Sequence, residues 1–504
     1  MQTTIFGPPG TGKTTTLINI VKQELDNGTK PENIAFVSFS RKAAEEARDR
    51  SAEALNIGAD QMVWFRTLHS FAFQNIGIGS KQVLKGSDYN QLGRLLGLEF
   101  ASNSSLTMAD GNLFSAGKGG DAYLSLIQLA RVRGVSLEQQ FNDANDRRLY
   151  FQQLKIVNQV LLDYKRDTGK IDFVDMIEKF IDEGDCPLLD VLIVDEAQDL
   201  SPMQWKMIHD VMKPRAKRVY FAGDDDQCIY SWMGVNVKDF LNASDNKTIL
   251  HKSYRLPRSI HTIAEGMVSQ LSTRQEKVWM PKEESGVVVW HHDMLGLDLT
   301  SGEWLILART NYIANKIATD LKEQGYLFWR EGSGWSISPN VLTGIEVWLK
   351  LCKGIHLSAK ELKTLSTLLK SDIVTKAGRK KLATLDSELT YNLESIRENF
   401  TTNVSAEMPW YDALKVSEKE RIYISSVRRM GEKILTDKPR IKISTIHKAK
   451  GGEADNVALL LDSSKPCAES PDQDSEIRTF YVGATRAKKA LHIIESQSMY
   501  GFKI

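Results

Sequence analysis

A glycine-rich run near the start of the chain has the residue types and spacing of a phosphate-binding loop. Residues 7–14 read Gly-Pro-Pro-Gly-Thr-Gly-Lys-Thr. Glycines let the backbone curl so that N–H groups point into one cradle, and the following helix adds its positive end. We expect Lys13 to neutralise the β- and γ-phosphates of a nucleoside triphosphate, and Thr14 to hold Mg²⁺. The predicted nucleotide contacts of the loop are Gly7, Pro8, Pro9, Gly10, Thr11, Gly12, Lys13, Thr14 and Thr15.

Two carboxylates follow an apolar run far from this loop. Asp195 and Glu196 open the sequence Asp-Glu-Ala-Gln-Asp directly after Val191–Val194, which is typical of a buried strand. In a phosphate-binding core, the first carboxylate suits Mg²⁺ through a water, and the second suits polarising the attacking water. We therefore predict Asp195 as the magnesium residue and Glu196 as the general base.

A polar and aromatic run follows the next apolar segment. Residues 223–232 read Gly-Asp-Asp-Asp-Gln-Cys-Ile-Tyr-Ser-Trp. Gln227 is placed to sense a γ-phosphate by a hydrogen bond. Tyr230 and Trp232 alternate with small residues, and exposed rings would stack nucleic-acid bases at ~1–3 kcal/mol each. The alternative for both aromatic residues is packing in the core.

Short apolar runs alternate with helical patterns, which indicates parallel α/β sheets. The first set of predicted strands is Thr3–Phe6, Ile34–Phe39, Met62–Phe65, Val191–Val194 and Arg218–Ala222. The second set is Gly286–Trp290, Trp304–Ala308, Ile441–Ser444, Asn456–Leu460 and Ala490–Ile494. Long segments without strand alternation interrupt both sets, and we expect them to be mainly helical.

Composition limits the class of protein. The chain has 504 residues, so we expect about three or four domains. Its net charge is +1, so a polyanion would have to be held by local grooves and stacking. The four cysteines are scattered, which predicts neither disulfides nor a zinc site. The absence of a long apolar run, and of room for a signal peptide before the loop, predicts a cytoplasmic protein without a membrane span.

A series of short boxes, in order along residues 7–487, resembles a superfamily 1 DNA helicase of the UvrD/Rep/PcrA type. Besides the three runs above, the boxes are Phe-Ser-Arg-Lys-Ala-Ala (39–44), Thr-Leu-His-Ser-Phe-Ala (67–72), Ser-Tyr-Arg (253–255), Ser-Thr-Ile-His-Lys-Ala-Lys-Gly-Gly-Glu (444–453) and Tyr-Val-Gly-Ala-Thr-Arg-Ala (481–487). An ordered series is far more specific than any one box.

The resemblance implies an α/β fold with two RecA-like P-loop parallel-sheet cores, each interrupted by a mainly helical insertion. The first core is expected at 1–71 and 166–250, with its insertion at 72–165. The second core is expected at 251–335 and 437–504, with its insertion at 336–436.

The resemblance also implies roles for single residues. Tyr254 would stack on the adenine, Glu453 would touch the ribose, and Arg255 and Arg486 would reach the γ-phosphate. The expected contacts to single-stranded DNA are Phe39, His69, Tyr230, Trp232 and His447. A buried strand position for Phe39, and a structural role for each histidine, remain open alternatives.

The implied activity is an ATP- and Mg²⁺-dependent helicase that moves 3′ to 5′ on single-stranded DNA and unwinds duplex DNA. Expected partners are single-stranded and forked DNA and a loading or single-strand binding protein, and the expected state is a monomer or weak dimer. A translocase that displaces bound protein with little unwinding is the alternative. A P-loop kinase or nucleotide switch is a third reading, opposed by the paired arginine boxes and Trp232. A nuclease fusion has no room after residue 487.

Several positions depart from the family pattern. Only six residues precede Gly7, so the glutamine segment with which the family usually reads the adenine is not expected in its usual place. The preference for ATP over GTP therefore stays open. Met233 stands where the family often has arginine. The second insertion is short and carries a basic cluster, which is Lys376, Arg379, Lys380 and Lys381. Ser498–Gly501 resembles the start of the family's strand-separating hairpin, so Tyr500 is predicted as an abbreviated wedge, with a frayed tail as the alternative.

Overall fold

The computed structural model describes residues 1–39, 41–55, 58–101, 119–383, 385–401, 404–431 and 439–504. Ser40, the side chain of Arg379 and the predicted boundary at residue 437 lie outside the described part of the chain. The strands are β1 (Gln2–Phe6), β2 (Ile34–Ser38), β3 (Trp64–Thr67), β4 (Leu189–Asp195), β5 (Ala216–Gly223), β6 (Lys247–Ile249), β7 (Val287–His291), β8 (Trp304–Ala308), β9 (Trp329–Arg330), β10 (Gly334–Trp335), β11 (Leu357–Ser358), β12 (Thr390–Tyr391), β13 (Ile441–Thr445), β14 (Ala454–Leu460) and β15 (Ala487–Ile494).

Helices connect and cover these strands. They are α1 (Lys13–Asp26), α2 (Arg41–Leu55), α3 (Leu68–Gln74), α4 (Gly86–Leu96), α5 (Gly119–Arg133), α6 (Leu137–Ala144), α7 (Phe151–Thr168), α8 (Phe173–Glu183), α9 (Pro202–Lys206), α10 (Val237–Leu241), α11 (Arg258–Val268), α12 (Asn311–Gln324), α13 (Pro339–Cys352), α14 (Ala359–Leu368), α15 (Lys376–Ala383), α16 (Leu393–Asn399), α17 (Trp410–Ala413), α18 (Glu418–Arg429), α19 (Lys465–Ala468) and α20 (Gln473–Ala484). No helix among the described residues is both long and apolar enough to cross a bilayer.

The first sheet has six strands in the order β3-β2-β4-β5-β1-β6, and every neighbouring pair is parallel. Its central strands are nearly continuous apolar runs, as expected of a parallel sheet buried on both faces. Because the strands are parallel, their carboxyl ends share one edge. The loops after β1, β4 and β5, which hold the predicted phosphate chemistry, therefore lie side by side.

The second sheet has seven strands in the order β10-β9-β13-β8-β14-β15-β7. All its pairs are parallel except the antiparallel β9–β10 hairpin. The prediction of an α/β fold with two parallel-sheet cores is confirmed. All ten predicted strands are present, although β3 begins two residues later than expected and β2 ends before Phe39. The strands β6, β9 and β10 are too short for periodicity to show them.

Helical segments interrupt both sheets. The elements described between β3 and β4 include α3 to α8, and those between β10 and β13 are α13 to α18 with the small β11–β12 sheet. The second segment surrounds its own apolar core, in which Trp348 is one of the largest buried side chains. The first segment contributes Leu129 and Val132 to the core beneath the loop after β5.

One apolar cluster joins the two sheets. It contains Ile229 from the loop after β5, Ile260 from α11, and Phe480 and Tyr481 from α20. All four residues are fully buried, so the contact between the cores is packed like a protein interior. This packing sets the carboxyl edge of the first sheet against the loops before β14 and β15.

Candidate nucleotide and nucleic-acid site

The loop after β1 has the backbone conformation of a phosphate cradle. Gly10 and Gly12 have φ angles of 73° and 77°, in the left-handed region that favours glycine. A Cβ atom on Gly10 would lie 2.3 Å from the Cβ of Arg255, so only glycine allows this close approach. Thr11 Oγ1 donates to the carbonyl of Pro8 at 2.8 Å and closes the loop internally.

Lys13, at the first turn of α1, points to the carboxylates after β4. Its Nζ lies 2.6 Å from Glu196 Oε1 and 3.6 Å from Asp195 Oδ1. Burial alone would lower the pKa of Lys13, but the charges of Glu196 and Asp195 outweigh that effect and raise the pKa. The lysine is therefore a firmly charged group at the centre of the cradle.

Glu196 occupies a strained backbone position. Its φ of 54° lies in the left-handed region, which costs a non-glycine residue about 1–3 kcal/mol and is often found at functional sites. Gln198 Nε2 donates to Glu196 Oε2 at 2.6 Å. Burial acts to raise the pKa of Glu196, but Lys13 and Lys450 lower it to about 2. The carboxylate is thus ionised and aimed at the cradle, as a water-polarising group must be.

The donor set of the cradle fits a nucleoside triphosphate with Mg²⁺. Thr14 supplies a hydroxyl and Asp195 a carboxylate, and Mg²⁺ prefers such oxygen ligands together with substrate phosphates. The Asp195 carboxyl accepts the backbone N–H of Glu196 at 2.9 Å, which orients it. Burial, opposed by Lys13 and reinforced by Glu196, raises the pKa of Asp195. A bound cation would favour its ionised form.

The Ser-Tyr-Arg box is fastened to the cradle. Ser253 Oγ donates to the carbonyl of Pro9 at 2.7 Å, and the Tyr254 N–H donates to the carbonyl of Gly10 at 2.8 Å. The Tyr254 ring is 71% exposed and would lie 3.9 Å from a Cβ at Gly12. An exposed aromatic face beside a phosphate cradle is suited to stack on a nucleobase.

Arg255 and Glu453 meet beside the phosphate cradle. Arg255 Nε is 2.7 Å from Glu453 Oε2, but its N–H does not point at that oxygen, so the contact is an ion pair without a hydrogen bond. Glu453 directly precedes β14, and Lys488 lies 3.7 Å from its other carboxylate oxygen.

Arg486, directly before β15, reaches Gln227 of the first core. Its side chain is buried, and Nη2 donates to Gln227 Oε1 at 3.0 Å while Nη1 donates to the carbonyl of Gly452. No carboxylate of the described residues lies within 4.0 Å of this guanidinium. Burial, and then repulsion from Arg255, lowers the pKa of Arg486 to about 9. Within the described part of the chain, the side chain is thus a buried cation without a carboxylate in direct contact.

Tyr230 does not present a stacking face. It is 5% exposed, and Phe39 stacks on it with centroids 5.5 Å apart. Trp232 and His447 contact the ring edge-on, and Lys450 Nζ lies 5.1 Å from its centroid. The expectation of direct base contact by Tyr230 is corrected, because neighbours cover the ring. Trp232 is only partly buried and packs beside this group.

The two predicted DNA histidines are neutral. Burial lowers the pKa of His69 to about 4, and burial together with Arg309 lowers that of His447 to about 3. His447 Nε2 lies 3.2 Å from the carbonyl of Ile229 across the cleft. His69 and Phe39 line one small pocket together with Met233. Any DNA contact of these histidines would therefore be uncharged.

The segment after β15 is packed against the second core. The Phe502 ring stacks on Phe480 at 4.1 Å, with 9° between the ring planes. Phe502 N–H donates to the carbonyl of Leu461 at 2.8 Å. The frayed-tail alternative is therefore wrong for this segment, and the half-buried Tyr500 is carried on an anchored chain.

Comparison with known families agrees with this geometry. The model of the UvrD/REP helicase N-terminal domain matches residues 1–248, and that of the UvrD-like helicase C-terminal domain matches residues 356–498. The chain belongs to the UvrD/REP helicase family. The first match holds the cradle and the carboxylates, and the second holds Glu453 and Arg486, so the family relation covers both sides of the cleft.

Curated members of the UvrD/REP family are distant relatives. ATP-dependent DNA helicase PcrA of Bacillus subtilis (strain 168) is 26% identical over 311 residues, covering 56% of this chain and 39% of that protein. DNA helicase II of Haemophilus influenzae is 26% identical over 312 residues, covering 56% of this chain and 40% of that protein. The probable DNA helicase II homolog of Mycoplasma pneumoniae is 23% identical over 614 residues, covering 99% of this chain and 82% of that protein. The chain matches about two fifths of the length of the first two relatives.

Two residues of this UvrD/REP-family site were missed by sequence reasoning. Lys450 Nζ donates to both carboxylate oxygens of Asp199 at 2.6 Å and to the carbonyl of Gln227 at 2.6 Å. Both residues stand in the boxes that carry the resemblance. The sequence offered one signal for this pair: each box holds a charged residue without a predicted role, the acid Asp199 in the first core and the base Lys450 in the second.

Proposed function

We propose that the chain is an ATP-driven DNA helicase that hydrolyses ATP with Mg²⁺ in the cleft between its two cores. The observation that carries this proposal is the buried guanidinium of Arg486, which has no acidic partner among the described residues and faces Gln227 of the other core. A buried charge is costly without a compensating anion. A γ-phosphate bound at Lys13 would supply that anion.

Each core contributes part of the chemistry. Lys13 and the cradle bind the phosphates, Thr14 and Asp195 hold Mg²⁺, and Glu196 polarises the attacking water. Mg²⁺ supplies charge neutralisation at the β- and γ-phosphates when bound. The opposing side supplies the remaining contacts, which are Arg255 and Arg486 to the γ-phosphate, Glu453 to the ribose and Tyr254 to the adenine.

The split site links hydrolysis to movement. Because Lys13 and Arg486 belong to different cores, turnover requires a closed cleft, and product release allows it to open. The DNA strand would lie along Phe39, His69, Trp232 and His447, with Tyr230 supporting the ring group from beneath. Repeated closure would step the protein 3′ to 5′ along single-stranded DNA, and Tyr500 would meet the fork as a wedge.

ATPase activity with and without single-stranded DNA tests the proposal. At low salt, where phosphate contacts are strongest, we expect strong stimulation by DNA. Lys13→Ala should abolish hydrolysis while single-strand binding survives, because the cradle and the DNA track use different residues. Absence of stimulation would contradict the DNA-dependent activity, and retained turnover in Lys13→Ala would contradict the site.

The strand polarity and the translocase alternative need separate substrates. Forked duplexes with only a 3′ or only a 5′ tail should be unwound from the 3′ tail alone. The same protein should be assayed for release of a protein block from single-stranded DNA. Efficient release without unwinding would favour the protein-displacing translocase.

A further inference from the structure

A cluster of buried charges lies directly behind the hydrolysis site. Asp224, Asp225 and Asp226 follow β5 and are each 0% exposed. Lys277 Nζ, also buried, lies 3.0, 2.5 and 2.8 Å from their respective carboxylates. Arg274 adds an ion pair to Asp226 at 2.8 Å. The cluster therefore pairs three fully buried acids with the buried Lys277 and the partly buried Arg274.

The two bases come from one connecting segment. Lys277 and Arg274 lie between α11 and β7, the stretch of chain that leads into the second sheet. The backbone N–H of Gln275 also donates to Asp225 at 2.7 Å. The acids belong to the first core, so the cluster fixes the connecting segment against the end of β5.

Within this acidic triplet, Asp224 alone contacts the side chain of Gln227. Asp224 Oδ2 accepts from Gln227 Nε2 at 2.7 Å, and Asp224 Oδ1 accepts from Lys277 Nζ. The other end of the Gln227 amide accepts from Arg486. A continuous chain of hydrogen bonds, here called the relay, thus runs through Lys277, Asp224, Gln227 and Arg486.

The relay determines the direction of an amide. A glutamine side chain has a donor end and an acceptor end, and either can face a given neighbour after rotation. A carboxylate only accepts, so Asp224 holds the NH₂ end and leaves the oxygen toward Arg486. Lys277 holds the other oxygen of Asp224, so the carboxylate would lose that orienting contact without the lysine.

We propose that Lys277 is a positioning residue for ATP hydrolysis, which holds the Asp224 carboxylate so that Gln227 is directed at Arg486 and the γ-phosphate. This inference rests on the proposed function. It makes the connecting segment part of the hydrolysis machinery, because displacement of that segment would release Asp224 and disorient Gln227.

Asp226 offers a matched control for Asp224. It contacts Lys277 and Arg274 but does not touch Gln227. Burial, opposed by Lys277 and reinforced by the neighbouring aspartates, raises the pKa of Asp226 to about 7. Replacing Asp226 with asparagine therefore removes one carboxylate from the same cluster and leaves the contact between Asp224 and Gln227 in place.

The first experiment compares Asp224→Asn, Asp226→Asn and Lys277→Met by DNA-stimulated ATPase. Asp224→Asn and Lys277→Met should lower kcat by about tenfold or more with KM for ATP within about threefold, as loss of a supporting partner does. Asp226→Asn should stay within about twofold of the parent kcat. Equal losses in both asparagine variants would overturn the inference. If Lys277→Met does not fold, the asparagine pair decides.

The second experiment repeats Asp224→Asn and Lys277→Met in a Gln227→Ala background. If both residues act through Gln227, they should cause no further loss of kcat there, since coupled residues are not additive. A full additional loss would show a merely structural role. Lack of DNA stimulation in the parent protein would instead contradict the proposed function, whatever the variants show.

Discussion

Lys450 Nζ donates hydrogen bonds to both carboxylate oxygens of Asp199 at 2.6 Å, across the cleft between the two sheets. The two side chains are 10% and 2% exposed, so water screens the pair very little. Burial raises the pKa of Asp199 to about 6, and Lys450 opposes that rise. The ion pair therefore joins the acidic sequence after β4 to the loop before β14.

Lys450→Met should destabilise the protein, because it leaves a buried carboxylate unpaired at a cost of ~3–5 kcal/mol. The double variant with Asp199→Asn should regain part of that loss, since it removes the orphaned charge. Urea unfolding of the parent, the two single variants and the double variant measures the coupling. Simple addition of the two single effects would show that the pair contributes no coupling.

Arg486→Ala should lower kcat by ~10²–10³, the usual cost of removing one group that stabilises developing charge. Nucleotide affinity should stay close to that of the parent, because Lys13 and the cradle remain. Steady-state ATPase and nucleotide titration separate the two quantities. Lys489→Ala is the control, since Lys489 is exposed on β15, the strand that begins directly after Arg486. A large loss of nucleotide affinity in Arg486→Ala would refute its role in turnover.

Trp232→Ala should weaken single-strand binding by ~1–3 kcal/mol through loss of base stacking. Stacking releases no counterions, so the slope of log Kobs against log salt should not change. Fluorescence anisotropy with labelled oligonucleotides over a salt series gives both values. A reduced slope with unchanged affinity at high salt would indicate that Trp232 acts through phosphate contacts.

His69→Gln should make the protein less sensitive to acid. The pKa of His69 is about 4 in the fold against an ordinary value of 6.5, because of burial. Between these values the unfolded chain binds the proton and the folded chain does not, so the free energy of unfolding falls as pH falls from about 6.5 to about 4. Urea unfolding at several pH values should show the variant and parent curves converging on the acid side. Parallel curves would mean that His69 is not held neutral.

Tyr500→Ala should impair unwinding of forked DNA more than ATPase, because a wedge acts on the junction and not on the nucleotide. Met499→Ala is the neighbouring control, as Met499 is 89% exposed. Phe502 anchors this segment on Phe480 and is left intact in both variants. Equal losses of unwinding and ATPase would show that Tyr500 has no part in strand separation.

Much of the fold could be predicted because buried parallel strands appear in the sequence as continuous apolar runs. The ten long strands and the loop at residues 7–14 follow from such local patterns. The orientation of aromatic rings does not. Tyr230 and Trp232 look equivalent in the sequence, yet Phe39 and His447 contact the Tyr230 ring, which is 5% exposed, whereas Trp232 is only partly buried.

The sequence by itself determined which chemical groups are available: a glycine cradle with Lys13, the pair Asp195 and Glu196, and arginines in later boxes. Only the tertiary structure decided which of these groups meet. Lys450 and Asp199 are 251 residues apart in the chain, and Lys277 reaches Asp224 from a connecting segment with no recognisable pattern. Local periodicity carries no information on such distances, because the packing of one sheet against the other sets them.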